Sequence, residues 1–130
     1  MVSEIAQPQP PDRLDLLLEL LMRHQTFSET IEMARSADRE PVLRASLASA
    51  LAHYVQSGRV TETSARRQIC FALLDLAKDP DVGVRLTAVE ALGLAELREN
   101  EVIDLLAELG EADPNDVVRA EARATLAELA

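Results

Sequence analysis

Aromatic and sulfur-bearing side chains are scarce in this chain of 130 residues, which has one cysteine, no tryptophan, two phenylalanines and one tyrosine. A lone Cys70 excludes an intrachain disulfide and any zinc site built from several thiolates. It stands inside an apolar helical run, where a buried thiol is expected rather than a reactive one. With aromatics at 2%, the core has to be built from Leu, Ile, Val and Ala, which suits close helix-on-helix packing. Four glycines and six prolines are too few for the frequent tight turns of a sandwich or barrel. No apolar run reaches membrane length, since the longest, Leu14 to Met22, is interrupted by Asp15 and Glu19. The opening MVSEIAQPQPPD has neither the basic start nor the apolar stretch of a secretory leader. A soluble cytoplasmic protein is the expectation.

Positive charge is also in short supply. The formal net charge is −10, and residues 66–130 carry seven basic against fourteen acidic side chains. Such a surface repels phosphate backbones, so broad contact with nucleic acid or an anionic membrane is disfavoured. Catalytic and metal-binding constellations are missing as well. His24 and His53 are far apart, with no His-x-x-x-His or Glu-x-x-His pair to place two ligands on one helix face. Gly83 and Gly93 are isolated within a helical phrase and form no phosphate loop. No serine sits in a nucleophile elbow. The chain therefore reads as non-catalytic, with no cofactor and no metal.

What is present is helix after helix. Residues 1–11 are polar and proline-rich and read as an extended or disordered lead-in, and residues 12–130 read as one helical domain. Asp12 is placed to cap a first helix bearing Leu14, Leu17, Leu18 and Leu21. Thr26 and Glu29 form a capping-box pair ahead of Ile31 and Ala34. Pro41 suits a first turn, and Leu43, Leu47, Ala50, Leu51 and Tyr54 follow before Gly58. A further helix is expected over 61–78, another over 79–97, one over 100–109 ending at Gly110, and the last from Asp116 onward. No segment alternates in the manner of a strand long enough to compete.

Three of these helices begin with versions of one phrase. Arg85 is preceded six residues earlier by Asp79 and five earlier by Pro80, and Leu92 stands seven residues later. The same offsets from Arg119 give Asp113, Pro114 and Leu126. From Arg44 they give Asp38 and Leu51, with Arg39 in place of the proline. An apolar residue precedes each arginine (Leu43, Val84, Val118), and a small one follows each leucine (Ala52, Gly93, Ala127). The arginines are 41 and 34 residues apart, one helix pair per unit, as in stacked helical repeats.

The phrases DPDVGVRLTAVEALG and DPNDVVRAEARATLA resemble HEAT repeats, in particular short bacterial HEAT-like repeats of the phycobilin-lyase type, and DREPVLRASLASALA is a weaker copy. The resemblance covers residues 38–130. It implies an all-α fold: a short right-handed α-solenoid of about three helix pairs with an extra N-terminal helical element. It further implies that Asp38, Asp79 and Asp113 sit in inter-helix turns, and that Arg44, Arg85 and Arg119 bridge to an aspartate of the adjacent unit. The aspartates are expected to accept free N–H groups of the following first turn. The function implied is a protein-binding adaptor or scaffold whose partner has a basic or mixed surface. The resemblance places the acidic ridge Glu101, Asp104 and Glu108 on the concave side, with Arg66 and Arg67 as a small basic counterpart. A bilin lyase-like subunit acting on phycobiliproteins, and an acidic inhibitor or immunity-type protein covering a basic partner, are the alternative readings. The C-terminal helix closes without a polar cap, so self-association through it is a further expectation if Val117, Leu126 or Leu129 faces outward.

Overall fold

The computed structural model describes residues 27–36 and 39–130, with side chains from Ile31 onward. Among these residues the regular elements are six α-helices: α1 (Phe27–Arg35), α2 (Pro41–Gln56), α3 (Thr63–Leu76), α4 (Val82–Leu94), α5 (Asn100–Ala112) and α6 (Asp116–Leu129). The expected N-terminal helix with its cap Asp12, the Thr26 capping position, His24 and Asp38 lie outside the described residues.

Local chemistry sets the boundaries. Pro41 occupies the first turn of α2, where its missing N–H costs nothing. Beyond α2, Gly58 takes φ 80°, a left-handed conformation that a side chain disfavours. The caps of the two later arginine helices differ from the sequence expectation. Asp81, not Asp79, caps α4, accepting from Val84 N–H at 3.1 Å. Asn115, not Asp113, caps α6, accepting from Val117 and Val118 N–H at 2.9 and 3.1 Å. The aspartates two residues earlier serve the turn instead: Asp79 Oδ1 accepts from Asp81 N–H at 2.8 Å and Asp113 Oδ1 from Asn115 N–H at 2.9 Å. Gly110, expected as a stop, lies inside α5. A Cβ there would come 3.0 Å from Arg123 Cγ, so its value is the close approach of α6, and the helix runs on to Ala112.

The helices form three antiparallel pairs, α1–α2, α3–α4 and α5–α6, stacked in two layers. Between units the second helices pack most extensively, α2 on α4 and α4 on α6, whereas α5 barely touches α3. A stack that is close on one side and open on the other bends, and its second-helix layer is the inner, concave side. Gly93 belongs to this tight seam, since a Cβ on it would stand 3.0 Å from Thr125 Cγ2 of α6. Between the layers runs one apolar core. It is continuous from Ile31 to Leu129 and includes the fully buried Leu47, Leu51, Ile69, Leu73, Leu92, Leu97 and Leu106. Aliphatic burial of this kind, at about 1.5–3 kcal/mol per large side chain, holds the layers together without aromatic bulk.

Candidate functional site

The seams between units fix the direction in which the exposed surface faces. Arg44 on α2 grips Asp79 of the next unit through Nε and Nη2, at 2.9 and 3.0 Å, and donates its Nη1 to the carbonyl of Arg39 in its own turn. Arg85 on α4 repeats this. Its Nε and Nη2 reach Asp113 at 2.9 and 3.3 Å, and its Nη1 donates to the carbonyls of Asp79 and Pro80. Arg119 keeps only the inner half, donating Nη1 to the Asp113 carbonyl at 2.7 Å. Each complete rung is a forked guanidinium–carboxylate pair, whose geometry fixes the register between units. Among the described residues no buried side-chain polar atom is left without a partner.

The Arg44–Asp79 rung sets an acid limit on the stack. Burial works to raise the Asp79 carboxyl, but the Arg44 hydrogen bond, the Asp81 N–H and the charges of Arg44 and Arg85 outweigh it and hold Asp79 below its ordinary value. The same bond to Asp79 raises Arg44 against the opposing effect of burial. An aspartate in the unfolded chain titrates at about 3.9. The Asp79 contribution is therefore complete above that pH and is lost as pH falls through the lower folded value. Circular dichroism melts taken from about pH 5 to pH 2 are expected to show stability dropping below about pH 4. Asp79→Asn is expected to lower stability at neutral pH and to flatten that acid limb.

The inner layer carries a groove of about 740 Å³ that runs across α2, α4 and α6. Between its walls the lining side chains are small: Ser49 of α2, Thr87, Ala91 and Gly93 of α4, and Thr125 of α6. Its walls carry four carboxylates, Glu90, Glu96, Glu121 and Glu128, and no lysine or arginine is among its lining side chains. Neutralisation from nearby is slight: Arg98 lies 3.8 Å from Glu96, with both side chains more than half exposed. Such exposed pairs contribute about 0–1 kcal/mol. Glu121 accepts a long hydrogen bond from Thr125 Oγ1 at 3.4 Å. The four carboxylates form no metal-binding group, and no cluster of three or more His, Cys, Asp or Glu among the described residues does so.

Glu96 is unusual in its backbone. At φ 52° it is the one non-glycine residue with positive φ among those described. It occupies the left-handed position after α4, where its N–H bonds to the Gly93 carbonyl and the N–H of the buried Leu97 bonds to that of Leu92. Helix ends of this form normally use glycine there, and a side-chain-bearing residue costs about 1–2 kcal/mol in that conformation. The carboxylate is thus kept on the rim of the groove at a local cost.

The residues singled out in the sequence are elsewhere. Glu101, Asp104 and Glu108 are exposed on α5. That helix precedes the Asp113–Pro114 turn, so it is the first helix of its pair and belongs to the outer layer; the ridge does not line the concave side. Arg66 and Arg67 stand on α3, also an outer helix. Arg66 Nη2 donates to the Glu96 carbonyl at 3.4 Å, while Arg67 lies over the Phe71 ring and 3.9 Å from Glu101. Arg67 therefore pairs with the ridge rather than facing it as a separate patch. His53 is exposed. Cys70 is buried, and that burial, with the charges of Glu99 and Glu101, pushes its thiol up to about 12, so it is not a nucleophile at neutral pH. On the last helix Leu129 turns into the core, Leu126 is partly covered, and Val117 points outward.

Comparison with known proteins agrees with the stacking. The family model for HEAT repeats matches residues 27–127, and gives no support for a phycobilin-lyase subtype. No curated protein and no solved structure matches the chain. No helix among the described residues is long and apolar enough to cross a membrane. HEAT repeats generally mediate contacts between proteins. Paired helices in two layers, joined by arginine–aspartate rungs and matched over 101 consecutive residues, make this chain a member of the HEAT-repeat family.

Proposed function

We propose that this protein is a non-catalytic adaptor whose inner groove holds a basic segment of a partner protein. The observation that carries the reading is the set of four carboxylates on a concave surface with no basic side chain in its lining. Glu121 and Glu128 are seven residues apart on α6, about 10.5 Å along one helix face. A partner helix with Lys or Arg at the same interval matches them, and the small lining residues leave room for long side chains between the walls. Opposed fields of this kind mainly raise the association rate and make it fall with salt.

A synthetic helical peptide with lysine or arginine at seven-residue spacing serves as the probe, with fluorescence anisotropy as the readout. Binding is expected to weaken steeply between about 50 and 200 mM salt, where screening shortens to under about 10 Å. Replacing Glu90, Glu96, Glu121 and Glu128 together with glutamine is expected to weaken it about tenfold or more, or about 1.4 kcal/mol. The same exchange at Glu101 and Glu108 with Asp104→Asn, on the outer layer, is expected to leave binding unchanged. Equal losses from the two sets would reject the groove. Glu96→Gly separates binding from folding: it is expected to match or exceed the parent in thermal stability while weakening the peptide complex.

A further inference from the structure

Glu96 does not stand alone at its end of the groove. It and Arg98 flank Leu97, whose side chain is fully buried and whose N–H bonds to the Leu92 carbonyl at 3.2 Å. That anchor pins the turn between α4 and α5 and fixes the roots of the two charged side chains. Arg98 is held at a second point, because its Nε donates to the Leu129 carbonyl in the last turn of α6 at 3.2 Å. From there its Nη2 stands 3.8 Å from Glu96 Oε1. The guanidinium thus joins the turn that carries Glu96 to the helix that carries Glu121 and Glu128.

Arg66, the other cation at this turn, reaches only the Glu96 backbone carbonyl, 3.4 Å away. Among the described residues Glu96 is the one groove carboxylate with a cation beside it, and Glu90, Glu121 and Glu128 form no ion pair. The Glu96–Arg98 pair suits exchange more than stability. Its contact is long and its side chains are 70% and 55% exposed, so another cation can replace Arg98 at small cost. Because Nε is held by Leu129, a displaced guanidinium stays beside the groove and competes again, as a tethered ligand does.

We propose that Arg98 is a specificity-determining residue of the groove, a tethered counter-ion that a partner's cationic side chain displaces from Glu96. The role rests on the groove being a site for basic segments. A segment with a neutral residue at this end leaves the pair in place and gains nothing from Glu96. One with lysine or arginine there takes over the carboxylate, and its gain is reduced by the loss of the internal pair. Arg98 therefore sets how strongly the groove rewards a cation at the Glu96 position.

A short oligoarginine peptide is the probe, since it presents a cation in any register, with anisotropy read at about 150 mM salt, where charges beyond about 8 Å are screened. Arg98→Gln is expected to bind it about two- to fivefold more tightly than the parent. Arg98→Lys keeps the charge and is expected to stay near the parent. Arg67→Gln removes the same charge from the outer layer and is expected to change nothing. With Glu96→Gln already in place, Arg98→Gln is expected to add no affinity. A parent that binds while Arg98→Gln binds no more tightly overturns the role of Arg98 and leaves the groove standing. A gain that survives Glu96→Gln, or that Arg67→Gln matches, overturns it as an effect of net charge. An equal gain from Arg98→Lys overturns it as a loosening of α6. Absence of binding by both the parent and Arg98→Gln rejects the groove itself and the role of Arg98 with it, whereas binding that emerges only with Arg98→Gln supports both.

Discussion

Arg85→Ala is expected to lower the free energy of unfolding by about 3–5 kcal/mol, the usual cost of removing one partner of a buried ion pair. Urea denaturation followed by helical circular dichroism measures it. The size follows from what is left behind. The Asp113 side chain is 2% exposed and that of Arg85 13%, so the abandoned carboxylate keeps only the Asn115 N–H within its own turn. Arg85 also ties down the Asp79 and Pro80 carbonyls, so the one change loosens the turn of its own unit as well as the seam to the next. Exchanging both partners for apolar residues, Arg85→Met with Asp113→Leu, is expected to restore most of the loss, short of about 1 kcal/mol for the unpaired N–H. A loss under 1 kcal/mol for Arg85→Ala would put this rung in the class of exposed pairs. The seam would then rest on aliphatic packing alone.

The rungs were legible because a stacked array places equivalent residues at fixed offsets. The interval from aspartate to arginine survives as a pattern even though the two ends of each ion pair come from different units. Helix identity was legible too, from the aliphatic stripes. The layer to which Glu101, Asp104 and Glu108 belong is not legible from their spacing. These share one helix and so look like a ridge, but whether a helix is inner or outer depends on its side of the aspartate turn. The groove carboxylates gave no local signal. Glu90, Glu121 and Glu128 sit on two different helices and Glu96 in a turn, and only the stacking of α6 on α4 brings them to one concavity. Positive φ at Glu96 was hidden for a different reason: a glycine there would have announced the helix end, and the glutamate masks it. The cap is displaced similarly, because Asp79 is a better hydrogen-bond acceptor for its turn and for Arg44 than for a helix that starts three residues later.

Leu92→Ala is expected to cost about 2–5 kcal/mol, and how that loss spreads tests the linear character of the stack. Leu92 is fully buried on α4, the helix that packs against α2, α3 and α6 together. In an array whose stability is a sum of units and nearest-neighbour seams, a defect in the middle weakens both seams. Amide exchange is therefore expected to accelerate in α2 and α6 as well as in α4. Leu129→Ala removes a side chain of equal size from the end of α6, 5% exposed, where the last turn opens locally at little cost. Its effect is expected to be smaller in denaturation and confined to α5 and α6, leaving exchange in α2 unchanged. If Leu92→Ala disturbed α4 alone, the units would be folding independently and the rungs would be spacers. If Leu129→Ala reached α2, the six helices would be acting as one cooperative bundle. The difference between those outcomes is set by the seams α2–α4 and α4–α6, the same contacts that curve the inner layer and hold the four groove glutamates in line.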